Sequence, residues 1–181
     1  MSKVHRIVVG TEDRGHEAVV PAILKRFFPY SEVVSFGINR PASELKRSFK
    51  RLETCDLLVL AKDANDVGLH GRSTYLMALV PDVLTYTTVL CIPDPYIERW
   101  LLLDAKAFSH VYGRGFDAPK ITGKHAYYKD YLKRSIKAAG HAPMDGFERA
   151  ADIINAMDFD TIKDDSFQLF ITELKTFLNK E

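Results

Sequence analysis

The sequence predicts an α/β protein, a mainly parallel sheet covered by helices on both faces and followed by a helical C-terminal part. Three observations carry this. Short β-branched runs alternate with segments of helical periodicity through the first half of the chain. The runs are apolar almost throughout, without the in-out alternation of a half-exposed strand, as strands buried on both faces require. After Pro93 only helical periodicity remains.

Arg6-Ile7-Val8-Val9-Gly10 is a β-branched run closed by glycine and reads as the first strand. Glu17 to Phe28 places Val19, Val20, Ile23, Leu24 and Phe27 at helical spacing, and Pro29 helps to end that helix. Glu32 to Ile38 is the second strand, and Pro41 to Leu52 is an amphipathic helix with Glu44, Lys46, Arg47, Lys50 and Arg51 on its wet face. Asp56 to Ala61 is the third strand, Ser73 to Val83 a helix, and Thr87 to Ile92 the fourth strand. Asp94-Pro95 is a helix-start pattern, with a carboxylate at the N-cap and proline in the first turn. The helix Tyr96 to Phe108 is expected to follow, burying Ile97, Trp100, Leu101 and Phe108. Arg114 to Gly123 reads as a loop, with helices over Lys124 to Ala139, Gly146 to Met157 and Ser166 to Leu178 beyond it, Ser166 capping the last. The α/β core is expected over residues 1–110, and a helical extension packed on it over 111–181.

The 181 residues, 46% of them hydrophobic, suit one sizeable core. A formal net charge of +1 gives no overall field toward nucleic acid or membrane, so any basic surface must be local. Cys55 and Cys91 sit beside or within apolar runs and read as reduced core residues. The N-terminal apolar run is too short for a signal peptide and no segment approaches a membrane span, so the chain is expected to be cytoplasmic.

Candidate chemistry lies at the strand ends. In open parallel sheets, sites form beyond the carboxyl ends of the strands. The first strand runs into Gly10-Thr11-Glu12-Asp13, the third into Asp63-Ala64-Asn65-Asp66, and the fourth into Asp94 with Glu98 one helical turn later. Carboxylates gathered on one edge repel one another and call for a cation. Oxygen donors point to a hard ion, Mg2+ or Mn2+, and no Cys/His pairing has zinc-ligand spacing. Asp and Asn at a strand end also serve as plain turn formers. His16 and Glu17 read as a helix start, with His16 a weak candidate for a base. The helix KHAYYKDYLKRSIK offers cations for phosphates and tyrosines for bases, although Tyr127, Tyr128 and Tyr131 equally suit a packed face.

The motifs VVGTED, KDAND and IPDPYIERWLLLD together resemble Toprim-type domains. The closer resemblance is to the small standalone Toprim-like proteins related to overcoming-lysogenization-defect (OLD) family nucleases, and it spans Arg6 to Asp104. It implies a Toprim/Rossmann-like fold and a metal-dependent nuclease, or a nuclease subunit working with an ABC- or OLD-type ATPase, in defence against phage. Glu12 matches the glutamate after the first strand, Asp63 the first acid of the DxD motif, and Glu98 the acid of the I-E-x-W helix. The second acid of DxD falls on Asn65, with Asp66 beside it. The implied catalytic and metal set is Glu12, Asp63, Asp66 and Glu98, with Asn65 as a neutral ligand. Lys62, Arg72 and Arg99 are the implied phosphate partners. The substrate would be nucleic acid, DNA ahead of RNA. Two other functions fit the same acids: a catalytically silent subunit that docks on the ATPase, and a receiver-like phosphoacceptor module. Against the latter, no Lys-Pro pair follows a fifth strand.

Overall fold

The computed structural model describes residues 5–50, 55–117, 119 and 125–179. Four parallel strands, β1 (Arg6–Thr11), β2 (Glu32–Gly37), β3 (Leu57–Ala61) and β4 (Thr88–Cys91), lie in the order β2-β1-β3-β4. Ile7 pairs with both Val33 and Leu57, and Val59 pairs with Val89. The chain class read from the sequence is thus the one observed. β1 and β3 are the inner strands, and every residue of β3 is buried.

Two apolar clusters cover the two faces, and strand alternation divides the residues between them. Ile7, Val9, Leu57, Val59 and Cys91 face one cluster; Val8, Leu58 and Leu60 face the other. The second cluster is closed by α2 (Ala42–Lys50), through Leu45 and Phe49, and by α3 (Gly68–Met77), through Leu76. The first is larger. It takes α1 (Arg14–Phe27) and all the later helices: α4 (Ile97–Trp100), α5 (Ala105–Tyr112), α6 (His125–Ala138), α7 (Ala150–Ala156) and α8 (Asp165–Asn179). The C-terminal helices therefore share one core with the sheet. Arg26 ties them together: its guanidinium donates to the Ile154 and Met157 carbonyls at the end of α7 (2.8 and 2.7 Å) and lies over the Phe159 ring. Both cysteines are free and buried.

Several element boundaries differ from those the sequence suggests, each for a local reason. α1 begins at Arg14 rather than Glu17, because Asp13 caps it. α3 begins at Gly68, straight after a 3-10 turn over Asn65–Val67, and ends before Pro81, where a second 3-10 turn over Asp82–Thr87 leads into β4. The expected helix over Ser73 to Val83 is thus shifted toward the N-terminus. Asp94 is not an N-cap. The Asp94-Pro95 bond is cis, Tyr96 is the residue at the N-terminus of α4, and that helix is a single turn. The segment Tyr96 to Phe108 is two helices, because Asp104 caps a new one: its Oδ1 accepts from the Lys106 and Ala107 N–H groups at 2.9 and 3.0 Å. Glu148 holds the backbone before α7 by accepting from the Asp145 N–H (2.8 Å), so that helix starts at Ala150.

Ser166 is not the cap of α8 either. Asp164 Oδ1 accepts the Phe167 N–H (2.9 Å), while Ser166 Oγ accepts from Trp100 Nε1 (3.0 Å) and from the Asp94 N–H (3.2 Å). Residues 51–52 of the expected second helix, Lys124 and half of the expected loop before it, residues 118 and 120–123, lie outside the described residues.

The cap reassignment has a measurable consequence. Asp104→Ala is expected to cost about 1 kcal/mol of unfolding free energy, the usual value of a helix N-cap. Asp94→Ala should cost clearly less. Urea denaturation of the two variants checks this, and a larger loss at Asp94 would contradict the assignment.

Candidate metal centre at the switch point of the sheet

Neighbouring inner strands β1 and β3 leave the sheet in connections to opposite faces, α1 on one and α3 on the other. Beyond the carboxyl ends of such a pair lies the crevice where open α/β sheets place their sites. Thr11 ends β1, and Glu12 is held just beyond it by its N–H on the Ala61 carbonyl (3.1 Å). Asp13 then caps α1, its Oδ1 accepting from the His16 N–H at 3.2 Å. The cap fixes where the first helical turn begins and so brings His16 over the strand ends. Ala61 ends β3, and the following Lys62 and Ala64 N–H groups bond to the Cys91 and Pro93 carbonyls (3.0 and 2.8 Å). Asp63 sits between them, pointing into the crevice.

Glu12, His16 and Asp63 form the one group, among the described residues, whose ligand atoms could share a metal ion; those atoms all lie within 4.8 Å of one another. His16 is fully buried. Its Nδ1 lies 2.8 Å from Asp13 Oδ1, and its Nε2 lies 3.2 Å from Asp63 Oδ1. The second approach lacks hydrogen-bond alignment, so Nε2 is a buried polar atom with no hydrogen-bond partner. Asp63 is 7% exposed, and its Oδ1 accepts the Ile97 N–H at 2.8 Å. Glu12 spreads its two oxygens: Oε2 accepts the Asp63 N–H (3.1 Å), and Oε1 takes the Lys62 ammonium. Lys62 also reaches Asn39 Oδ1 (3.3 Å), and Asn39 in turn donates to the Glu12 carbonyl (3.0 Å).

The electrostatics follow from this crowding. Burial raises the pKa of Asp63; His16 works against it, and the Glu12 and Asp13 charges add to the rise. Burial disfavours the His16 imidazolium, but Asp13 and Asp63 together outweigh it and lift its pKa to about 9. Asp13 moves the other way, to about 2: burial would raise it, and the His16 hydrogen bond and charge more than compensate. Glu98 is raised by burial first, and then by the Asp63 and Asp13 charges, with its own backbone hydrogen bond and Lys129 on α6 partly offsetting the rise; it lies outside the three-residue group.

These shifts set a pH window for stability without metal. His16, raised from 6.5 to about 9, contributes stability that is complete below pH 6.5 and is lost as pH rises through about 9. Asp13, lowered from 3.8 to about 2, contributes stability present above pH 3.8 and lost as pH falls through about 2. In chelator, the wild type should therefore lose stability relative to Asp13→Asn between pH 6.5 and 9. Urea midpoints across that range test it, and parallel profiles for the two proteins would contradict the pairing.

The structure brings together Glu12 and Asp63, as the sequence suggests, and adds His16, which its sequence position marks only as a weak candidate for a base. Asn65 and Asp66 follow on the 3-10 turn. Asp66 is exposed and lies outside the three-residue group. Asn65 occupies the left-handed region (φ 51°) and donates its N–H to the Pro95 carbonyl at 3.2 Å. Asparagine tolerates that backbone better than most residues, which gives the amide at the DxD position a conformational reason. Arg72 Nε donates to the Asp63 carbonyl (2.6 Å) and so braces the strand end from α3. Arg99 is spent on the buried Asp164 carboxylate and the Asp94 carbonyl. On α6, Tyr128, Leu132 and Ile136 are buried and Tyr127 and Tyr131 pack against the core, while Lys129 and Lys137 are exposed. That helix lies against α4, beside Glu98.

Among the described residues no helix is long and apolar enough to cross a membrane. Comparison with protein-family profiles, with curated proteins and with solved structures finds no match to this chain.

Proposed function

We propose that the protein is a Toprim-like, metal-dependent nuclease, or the nuclease subunit of an assembly with an ABC- or OLD-type ATPase that acts against phage. The observation that carries the reading is the buried Nε2 of His16, aimed at two carboxylates at the crevice of the sheet. A divalent ion there, Mg2+ or Mn2+, would supply Lewis-acid stabilisation of a phosphodiester and a lowered pKa for a bound water. Glu12, His16 and Asp63 would hold it. The resemblance would add to these Glu98, whose pKa burial and the Asp63 and Asp13 charges raise, and the exposed Asp66. Lys62 is positioned to exchange its Glu12 contact for a phosphate oxygen. Beside α4, the exposed lysines of α6 provide a local cationic border on which a nucleic-acid backbone would lie, DNA before RNA.

A second reading has its own observation. Lys62 already neutralises Glu12, and the Ile97 N–H already satisfies Asp63, so both carboxylates have partners without an ion. That arrangement suits a silent subunit that docks on the ATPase. The receiver-like reading is disfavoured, because the Asp63 side chain that would accept the phosphoryl group is buried and hydrogen-bonded.

Nicking of supercoiled DNA and degradation of RNA, each with manganese and with and without the ATPase and ATP, separates the readings. The nuclease cleaves in a metal-dependent way. No cleavage under any of these conditions, alongside stable association with the ATPase, supports the silent subunit.

A further inference from the structure

The donor set bears on which ion the site prefers. Two of its three residues offer carboxylate oxygens and the third an imidazole nitrogen. Magnesium prefers oxygen and keeps its waters, whereas imidazole favours first-row transition ions. His16 is also set up as a ligand. It is fully buried, its Nδ1 is held by Asp13 Oδ1 at 2.8 Å, and its Nε2 has no hydrogen-bond partner and faces Asp63 Oδ1 at 3.2 Å. A carboxylate bonded to the far nitrogen of a ligating histidine is the arrangement that fixes the tautomer and ring angle in metal sites and makes the near nitrogen a better donor.

Asp13 therefore has two tasks. Its Oδ1 caps α1 through the His16 N–H (3.2 Å), and the same oxygen orients the imidazole of that residue. One residue thereby locks both the backbone and the ring of the nitrogen donor.

Resting on the metal-centre reading above, we propose that Glu12, His16 and Asp63 form a transition-metal site that selects manganese- or cobalt-type divalent ions over magnesium, with Asp13 as the positioning residue for His16. His16 is the source of the selectivity, because it is the donor that magnesium uses poorly. Asp13 sets its strength.

The test is thermal unfolding and calorimetric titration of the chelator-stripped full chain with MnCl2, CoCl2 and MgCl2, together with the visible absorption of the cobalt-loaded protein. Manganese and cobalt are expected to bind at concentrations at least about 10-fold below magnesium. His16→Gln should remove that preference and the nitrogen-ligand signature in the cobalt spectrum, while the carboxylates still bind magnesium. Asp13→Ser keeps a good helix cap but is too short to reach Nδ1. It should weaken cobalt and manganese about 10- to 100-fold, and magnesium far less. Equal affinity for magnesium and manganese, or selectivity that survives in His16→Gln, would overturn the proposal and leave the metal-dependent nuclease standing. Binding of no ion at all would overturn both.

Discussion

Asp63→Asn is expected to reduce metal-dependent nicking about 100- to 1000-fold, the range lost when a fixed group that stabilises a transition state is removed. The substitution isolates the charge. Asparagine keeps a side-chain oxygen to accept the Ile97 N–H, which Asp63 Oδ1 now takes at 2.8 Å, so the contact between the end of β3 and the start of α4 survives. What disappears is one of the two carboxylates beside Nε2 of His16. Asp63→Ala is the poorer probe, because it also leaves the buried Ile97 N–H unpaired, at roughly 1–3 kcal/mol. The same argument predicts that Asp63→Asn loses most of any stabilisation by added metal, since a bound ion stabilises the folded chain by mass action. Wild-type rates in Asp63→Asn, measured by supercoiled-plasmid nicking with manganese, would remove Asp63 from the mechanism.

The largest effect on stability is expected at Trp100. This residue, the only tryptophan in the chain, is fully buried between Phe167, edge-on at 5.1 Å, and Phe170, stacked at 5.9 Å. Its indole N–H donates to Ser166 Oγ at 3.0 Å. It thus joins the single turn of α4, which carries Glu98 and the Ile97 N–H of the site, to α8 at the far end of the sequence. Trp100→Ala is expected to cost about 3–5 kcal/mol, from lost transfer energy and the cavity left behind. Trp100→Phe should cost less, because much of the ring contact remains and only the bond to Ser166 is lost. Urea denaturation followed by circular dichroism measures both, and a loss below about 1 kcal/mol for alanine would show that the α4–α8 contact is dispensable.

The strands were legible because burial on both faces leaves little choice of residue: Ile7 to Val9 and Leu57 to Ala61 are apolar throughout. Glu12 and Asp63 were legible because the topology of a parallel sheet fixes which strand ends converge, whereas Asp66, Asp94 and Glu98 lie outside the group that forms there. His16 was not. Placing the helix start at His16 and Glu17, as first-turn preference for Glu17 suggests, gives His16 no packed position and no role beyond that of a weak base. The missed signal was Asp13, three residues before His16 and a good cap in its own right; a helix begun at Arg14 puts the imidazole in its first turn, over the strand ends. Asp94-Pro95 misled for the opposite reason. An aspartate before a proline is a helix start only when the proline takes the first helical position, and here the chain turns through Tyr96 before α4 begins. The true cap, Asp104, had no proline to mark it. The role of Ser166 depends on Trp100 and Asp94, 66 and 72 residues away, a distance that no local pattern spans.

One divalent ion is expected among Glu12, His16 and Asp63. Crystals grown with manganese and measured on both sides of its absorption edge test it directly. An anomalous peak is expected about 2.0–2.3 Å from His16 Nε2 and from one oxygen each of Glu12 and Asp63, with the Asp13–His16 hydrogen bond kept. A peak confined to the exposed Asp66, or no peak in the crevice while Lys62 remains on Glu12, would contradict it.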